Sequence, residues 1–477
     1  MVRLDDIPVM LTYSFENIRS EFLYEHLYHC LREDIQYGKL RPGERLPSKR
    51  TFATHLGVST ITVENAYGQL LTEGYIYSRP KRGYYVADIT SRVFSQPHSV
   101  QEPAPEQKKP PVWFADFTSN QIQTDMFPFA TWSKVLRDTL ADEQSHLMEP
   151  VPVWGCLALR QAVSTHLQRF RGMYTSPAQI VIGAGTEYLY SLIVRFLGPR
   201  QIICLEDPGY AKVRRIYESN GMTCRYAPLD ESGISIDALR QLHGSIAHIS
   251  PSHHFPTGRV MPIARRYELL GWANETDGRY IIEDDYDSEF RFTGKPVPTL
   301  FSIDAGGKVI YMNTFSKTLT PTIRISYMVL PPELVRPFQE SLGFLSCTVS
   351  NFEQYTLARF ISLGYFEKHL NRMRTYYRKK RDLLIRTLKK SDLAGKSDII
   401  EQSAGLHFLL RFHTTLDDAC LKDHFRKEGL HLTGLSEYYH KPLPDAAHTY
   451  LINYSSLESK KIPEAIERLC RAVLSES

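Results

Sequence analysis

Residues 44–86 read ERLPSKRTFATHLGVSTITVENAYGQLLTEGYIYSRPKRGYYV. Ser48 can accept a first-turn backbone N–H and so predicts the N-cap of a short helix, SKRTFATHL, which Gly57 ends by taking a left-handed conformation. Ser59 predicts a second cap, opening a helix over STITVENAYGQLLTEG that Gly74 closes. The two helices meet across LGVS. After them, YIYSRPKRGYYV places aromatic and β-branched residues on either side of a basic turn, the pattern of a hairpin.

Upstream, Phe22, Leu23, Leu27, Cys30, Leu31 and Ile35 recur near i, i+4, i+8 and predict one apolar stripe on a helix ended by Gly38. Helix, helix-turn-helix, then hairpin is the order of a winged helix-turn-helix, expected over residues 19–88. Between residues 38 and 92 the bases Lys39, Arg41, Arg45, Lys49, Arg50, Arg79, Lys81, Arg82 and Arg92 face only Glu44, Glu64, Glu73 and Asp88. The whole chain carries a formal charge of only +4, so its excess is concentrated here, as binding to DNA phosphates requires. A basic run alone more often solvates a surface. Here charge and element order coincide, with helix starts at Ser48, Ser59, Thr60 and Thr62 adding hydroxyl and N–H donors.

Downstream, SQPHSVQEPAPEQKKPPVW (95–113) has five prolines among polar residues and no hydrophobic period, which predicts an extended linker within residues 89–113. A second domain is expected over 114–477. Its apolar runs QIVIGAG, QIICLEDPG, AHISPSH, RYIIEDDYD and KVIYMNTFS lack strict alternation and predict strands covered on both faces, hence an α/β sheet.

Four stretches of this larger piece make chemical sense together: NTFSKTLTPTIRIS, IIEDDYDSEF, IGAGTEY and EDPGY. Pyridoxal phosphate (PLP) needs an amine for its Schiff base, a carboxylate at its ring nitrogen, and donors plus a cation for its phosphate. Lys317 supplies the amine. Asp284 stands at a strand end with Tyr286 two positions on, and Glu283 and Asp285 are expected to point the other way. Gly185, Thr186 and Glu187 follow a strand and open a helix, so their N–H groups can cradle the phosphate, with Ser316 and Arg324 adding a hydroxyl and a guanidinium. Tyr210 is placed to stack on the ring. Each feature alone is ordinary, since a strand-end Asp is usually a cap and a Gly-Thr turn usually just a turn.

The N-terminal stretch resembles the GntR-type winged helix-turn-helix over about 70 residues. That resemblance implies operator contacts by Ser48, Lys49, Arg50, Thr60 and Thr62, with Arg82 and Gly83 at the wing tip beside Arg79 and Lys81. Thr60 departs from the Arg that many members carry there, which leaves the base preference open. The order GAGT, EDPGY, SPSHHFPTG, EDDYDSEF and FSK, with an Arg seven residues on, resembles fold-type I, aspartate-aminotransferase-like PLP enzymes throughout 114–477. The combination is similar to the MocR/GabR subfamily of bacterial regulators, in which the aminotransferase-like domain is effector sensor and dimerisation unit. It implies a homodimer that binds operator double-stranded DNA and a small-molecule effector: PLP itself, an amine or an amino-acid derivative.

Three departures bear on activity. Phe255 stands where aminotransferases have an Asn to the cofactor's phenolate oxygen. Ser455 and Ser456 fall where those enzymes are expected to carry the arginine that clamps a substrate carboxylate. Lys212 and Glu437 replace arginines of the GABA-responsive members, which disfavours GABA. The expected protein is therefore a PLP-dependent regulator with little or no transamination turnover; the alternative is a working aminotransferase with an appended DNA-binding module.

Seven scattered cysteines with no C-x-x-C argue against disulfides and zinc sites, and His253, His254 and His407 are read as structural, with no metal assigned. An N-terminus with early acids and a proline, and no apolar run near ~18 residues, predicts a cytoplasmic protein without a membrane span.

Overall fold

The computed structural model describes residues 11–15, 22–89, 111–119, 121–292, 297–400, 404–441 and 443–475. Its contacts divide the chain into two compact units, residues 1–109 and 110–477. Most of the expected linker, residues 90–110, lies outside the described residues.

In the first unit α1 (Leu23–Gln36), α2 (Lys49–Leu56) and α3 (Thr60–Thr72) precede a hairpin of β1 (Ile76–Arg79) and β2 (Gly83–Val86). The apolar stripe of α1 is narrower than the sequence suggested. Leu27, Tyr28, Leu31 and Ile35 are buried, whereas Phe22 is 71% and Leu23 45% exposed. Phe22 is the residue before the helix with an extended backbone, so it does not share the helical phase that aims side chains at the core. Ser48 accepts from Thr51 N and Ser59 from Thr62 N, at 3.2 and 3.1 Å. Gly57 (φ 68) and Gly74 (φ 79) take the left-handed conformation after the two helices. Phe52, Val63, Ala66, Tyr67, Leu70 and Val86 close the core among these elements.

The second unit is built on an eight-stranded sheet: β3 (Ile180–Gly183), β4 (Ile202–Asp207), β5 (Thr223–Asp230), β6 (Gly233–Ile234), β7 (Ile246–Ile249), β8 (Tyr280–Asp284), β9 (Val309–Thr314) and β10 (Ser326–Val329). Their spatial order is β3-β10-β9-β8-β7-β4-β5-β6. The β9-β8-β7-β4-β5 run is parallel, while β10 is antiparallel to both neighbours. All five expected strands are present. Strands β3, β8 and β9 are buried at every position but one, as two-sided coverage demands. Parallel strands deliver their C-terminal ends to one edge of the sheet, where α/β proteins place their sites.

A smaller antiparallel sheet follows, β11 (Ser397–Ile400), β12 (His407–Phe412), β13 (Thr433–Gly434) and β14 (Thr449–Asn453), in the order β11-β12-β14-β13. Met373, Tyr377 and Leu384 of helix α4 (Tyr365–Lys390) pack with Phe408, Leu410, Tyr450 and Ile452 of this sheet and with Ile466 and Leu469 near the C-terminus. None of the seven cysteines is paired. No helix among the described residues is long and apolar enough to cross a membrane.

The two serine caps are expected to matter separately. Ser48→Ala and Ser59→Ala should each lower the stability of the first unit by ~1 kcal/mol, read from faster hydrogen exchange of the α2 and α3 amides.

Candidate functional site

At the C-terminal edge of the parallel strands, Thr186, Glu187, Tyr210, Asp284, Tyr286, Ser316, Lys317 and Arg324 line one pocket of about 540 Å³, together with Leu406 and His407 from the smaller sheet. The lining residues named from the sequence, Thr186 to Arg324, are spread over 139 positions and come together in this pocket, whereas Leu406 and His407 were not among them. Gly185 lies just behind this lining.

Strand alternation sorts the acids at the end of β8. Glu283 faces away from the pocket and accepts from Leu300 N and Phe301 N, both at 2.9 Å, with Arg266 at 3.7 Å. Asp285 pairs with buried Arg171 at 2.9 Å and accepts from Tyr311 OH at 2.7 Å. Asp284 faces the pocket. Its Oδ2 accepts from Tyr190 OH at 2.5 Å, and His248 Nε2, whose ring is held by Tyr217, lies 3.5 Å away. Its Oδ1 is buried and has no partner among the described residues. A buried carboxylate oxygen held toward a cavity by its own neighbours is the acceptor a protonated ring nitrogen needs.

Burial lowers the Lys317 ammonium from its ordinary value to about 8, a drop limited by the Asp287 carboxylate. The amine is therefore far more available at neutral pH than on a solvated lysine. Tyr286 is pushed well up, by burial first and then by Asp287, Asp284 and Glu206, which keeps its phenol protonated. Tyr210 is half exposed and sets its ring edge-on to Phe255 at 5.6 Å between centroids.

The turn expected to cradle a phosphate differs from the sequence reading at two points. Gly185 N–H already donates to Gly183 O at 2.8 Å, so it is not a free donor. Gly185 matters for its φ of +87° and its missing side chain, because a β-carbon there would overlap the Arg324 guanidinium. The Glu187 side chain also occupies the site, bonded to Lys212 and 3.8 Å from Arg324. Lys212 draws the Glu187 carboxyl below its usual range, with a smaller effect of Arg324. The free donors are the first-turn amides of the helix Thr186–Leu197, which have no intrahelical acceptor, together with Ser316, whose hydroxyl accepts from Thr314 at 3.0 Å.

Ser455 and Ser456 are not in the pocket; their hydroxyls donate to Ser119 O and Asp116 O at 3.2 and 3.4 Å. The strand turns these positions into the scaffold, so they cannot report on a substrate clamp. The pocket's arginines among the described residues are Arg214 and Arg324. Lys212 and Glu437 do line it, but Glu437 is paired with Lys422 at 3.1 Å and caps Gly434 N at 2.7 Å. Histidines 253 and 407 converge with Asp287 to within 4.8 Å. The shortest pair, His253 Nδ1 to Asp287 Oδ2 at 2.7 Å, is a hydrogen bond that already uses one atom of each, and the group is a hydrogen-bonded dyad with the His407 ring packed at a tilt beside it.

On the first unit, Ser48, Arg50, Ser59, Thr60, Arg79, Lys81 and Arg82 are exposed, and Lys49, Thr62 and Gly83 half-buried. The Ser48 and Ser59 hydroxyls are engaged as caps, with Thr62 Oγ1 bonded to Ser59 at 2.8 Å. Lys49 pairs with Glu64 at 2.6 Å. The wing tip is shaped by Lys81 (φ 60) and Gly83 (φ 107), and the Arg79 guanidinium lies over the Tyr85 ring at 4.7 Å. Ile61, 68% exposed between Thr60 and Thr62, escaped the sequence reading because an isolated apolar residue on a helix reads as core.

Residues 23–86 match the family of bacterial regulatory proteins named gntR, and residues 114–469 match aminotransferase class I and II. The uncharacterised HTH-type transcriptional regulator YdeL of Bacillus subtilis is 37% identical over 94% of this chain and 96% of its own. The probable rhizopine catabolism regulatory protein MocR of Rhizobium meliloti is 32% identical over 95% and 94%. The chain belongs to the MocR/GabR subfamily of GntR-type transcriptional regulators. As in that subfamily, the head is a DNA-binding winged helix-turn-helix and the rest has the fold of a PLP-type aminotransferase. The kynurenine aminotransferase of Pyrococcus horikoshii shares this second fold, with a TM-score of 0.66 at 24% identity over 75% of this chain and 90% of that one.

A lysine drawn down to about 8 loses its proton two orders of magnitude earlier than a solvated one near ~10.4. In cofactor-free protein, trinitrophenylation of Lys317, scored against Lys317→Ala as blank, should rise with pH and level off above about 8. A rate still climbing at pH 10 contradicts the buried placement.

Proposed function

We propose that this regulator carries PLP on Lys317 and senses a small molecule, PLP itself, an amine or an amino-acid derivative, in that pocket. A homodimer then reports the event through its two heads to operator DNA. The observation that carries the reading is the convergence of a lysine of lowered basicity, the unpartnered Asp284 Oδ1 and the Gly185–Arg324 cradle in one cavity. Those residues fit the group. Asp284 would hold its ring nitrogen, Tyr286 its phenolate oxygen, Tyr210 its ring face, and Thr186, Glu187 N–H, Ser316 and Arg324 its phosphate. Bound there, PLP supplies an aldehyde that condenses with amines.

This chain's residues favour a binding event over turnover. Arg324 belongs to the cradle and Arg214 lies beside Glu218 at 3.8 Å, so neither stands free in the pocket to clamp a substrate carboxylate bidentately. Lys212 and Glu437 are each neutralised by a partner, which disfavours a simple zwitterionic effector such as GABA. A sensor needs only a differential affinity between two arrangements of the dimer, worth ~1–3 kcal/mol. The residues over 89–113 act as the tether that lets both heads reach two half-sites.

At the DNA, the assigned contacts are Arg50, Arg79, Lys81, Arg82 and Gly83 with Thr60 and Thr62, while Ser48 and Ser59 act through the helix starts they cap. Ile61 is added as an apolar contact of the kind that reads a thymine methyl.

The test has two arms. Lys317→Ala should lose the visible absorbance and borohydride-fixable PLP of the parent, keep operator binding, and lose its response to effector. Arg50→Ala and Arg82→Ala should keep the absorbance and weaken operator binding, each flattening the salt dependence by about 0.9 in log K against log[salt]. Parent protein that takes up no PLP, or steady amino-group transfer at enzyme-like rates, sinks the sensor reading.

A further inference from the structure

Tyr286 is followed by Asp287, and the buried His253 lies against both. His253 Nδ1 is 2.7 Å from Asp287 Oδ2 and 3.3 Å from the Tyr286 hydroxyl oxygen. Its other nitrogen, Nε2, is buried without a partner among the described residues, so Nδ1 is the ring's polar anchor there. The ring is also fixed sterically. A β-carbon at Gly405 would overlap it, and the His407 ring packs over it at 4.7 Å between centroids.

This arrangement dictates where protons lie. A nitrogen facing a carboxylate at 2.7 Å must carry a hydrogen, so Nδ1 is a donor whether or not the ring is charged. A donor cannot accept, so the Tyr286 hydroxyl can only offer a lone pair to Nδ1–H. Its own hydrogen must then point away from His253, toward the pocket that Tyr286 lines with Lys317. Phe255, two residues after His253, contributes no donor to the same region.

We infer that the His253–Asp287 pair is a positioning device that fixes the Tyr286 hydroxyl as a donor into the pocket, compensating for the apolar Phe255. The inference rests on the proposed function, because the recipient of that hydrogen bond is an anionic oxygen of the cofactor. A fixed donor stabilises negative charge on that oxygen and so lowers the basicity of the proton-sharing centre it belongs to. The charged and titratable groups facing Tyr286 and His253 are Asp284, Asp285 and Asp287 after β8, Glu206 of β4, His254 beside His253, His407 of β12, and Lys317 across the pocket.

The experiment follows the pH midpoint of the visible band of the PLP-loaded full-length protein. His253→Phe and Asp287→Asn should each raise the midpoint by about one unit, a tenfold change in proton affinity. His253→Gln, whose side-chain amide can donate, should restore part of the shift. In a Tyr286→Phe background, already shifted up, His253→Phe should add nothing, an outcome that mere loss of packing would not produce. Gly405→Ala, which removes no polar group but pushes the ring off Asp287 and Tyr286, should mimic His253→Phe if that variant does not fold. In cofactor-free protein, nitrogen-15 histidine spectra should show the His253 hydrogen on Nδ1. An unchanged midpoint, equal shifts with and without the Tyr286 hydroxyl, or a bare Nδ1 overturns this inference alone. Failure of the parent to take up PLP overturns the proposed function with it.

Discussion

Glu283, Asp284 and Asp285 follow one another at the end of a strand buried on both faces, and the second unit is organised around giving each of them a partner. Leaving one such charge unmatched in an interior costs about 3–5 kcal/mol. Glu283 is met by two backbone amides and Arg266, and Asp285 by Arg171 and Tyr311. Burial still holds the Glu283 carboxyl up at about 7 despite Arg266. Asp284 is met by Tyr190 on one oxygen, and its other oxygen, like Oδ1 of Asp285, has no partner among the described residues, but only Asp284 lines the pocket. The site exists because the pleat turns that one carboxylate the other way.

Much of this was legible because the pleat has a period of two. Placing Asp284 inward puts its neighbours outward from the sequence alone, and caps such as Ser48 and Ser59 need only local rules. What stayed hidden depends on contacts between distant segments. Lys212 meets Glu187 twenty-five positions away, and Arg266 reaches Glu283 of β8 from the helix that precedes that strand. Nothing in the local pattern at 187 announces that its side chain bonds a lysine. Position within a family motif also misled. Ser455 and Ser456 stand, by the family resemblance, at the place of a substrate-clamping arginine, but their hydroxyls donate to Ser119 O and Asp116 O outside the pocket.

The histidines show the same limit. Read one by one they are ordinary core residues, and each is buried. Their chemistry lies in the pairing of His253 with a carboxylate thirty-four positions downstream, which only the convergence of β7 and β8 at one edge of the sheet produces.

The Glu187 carboxylate, shared between Lys212 and Arg324, makes the cradle a site with a resident anion of its own. An incoming anion therefore competes with Glu187 for Arg324, while Lys212 stays beside the displaced carboxylate. A loose sulfate or inorganic phosphate gains only that exchange of one anion for another. A phosphate attached to a ring that also reaches Asp284 and Lys317 gains three anchors for the same displacement. A pocket so built would favour a whole molecule over its fragment, because the fragment competes with the protein itself.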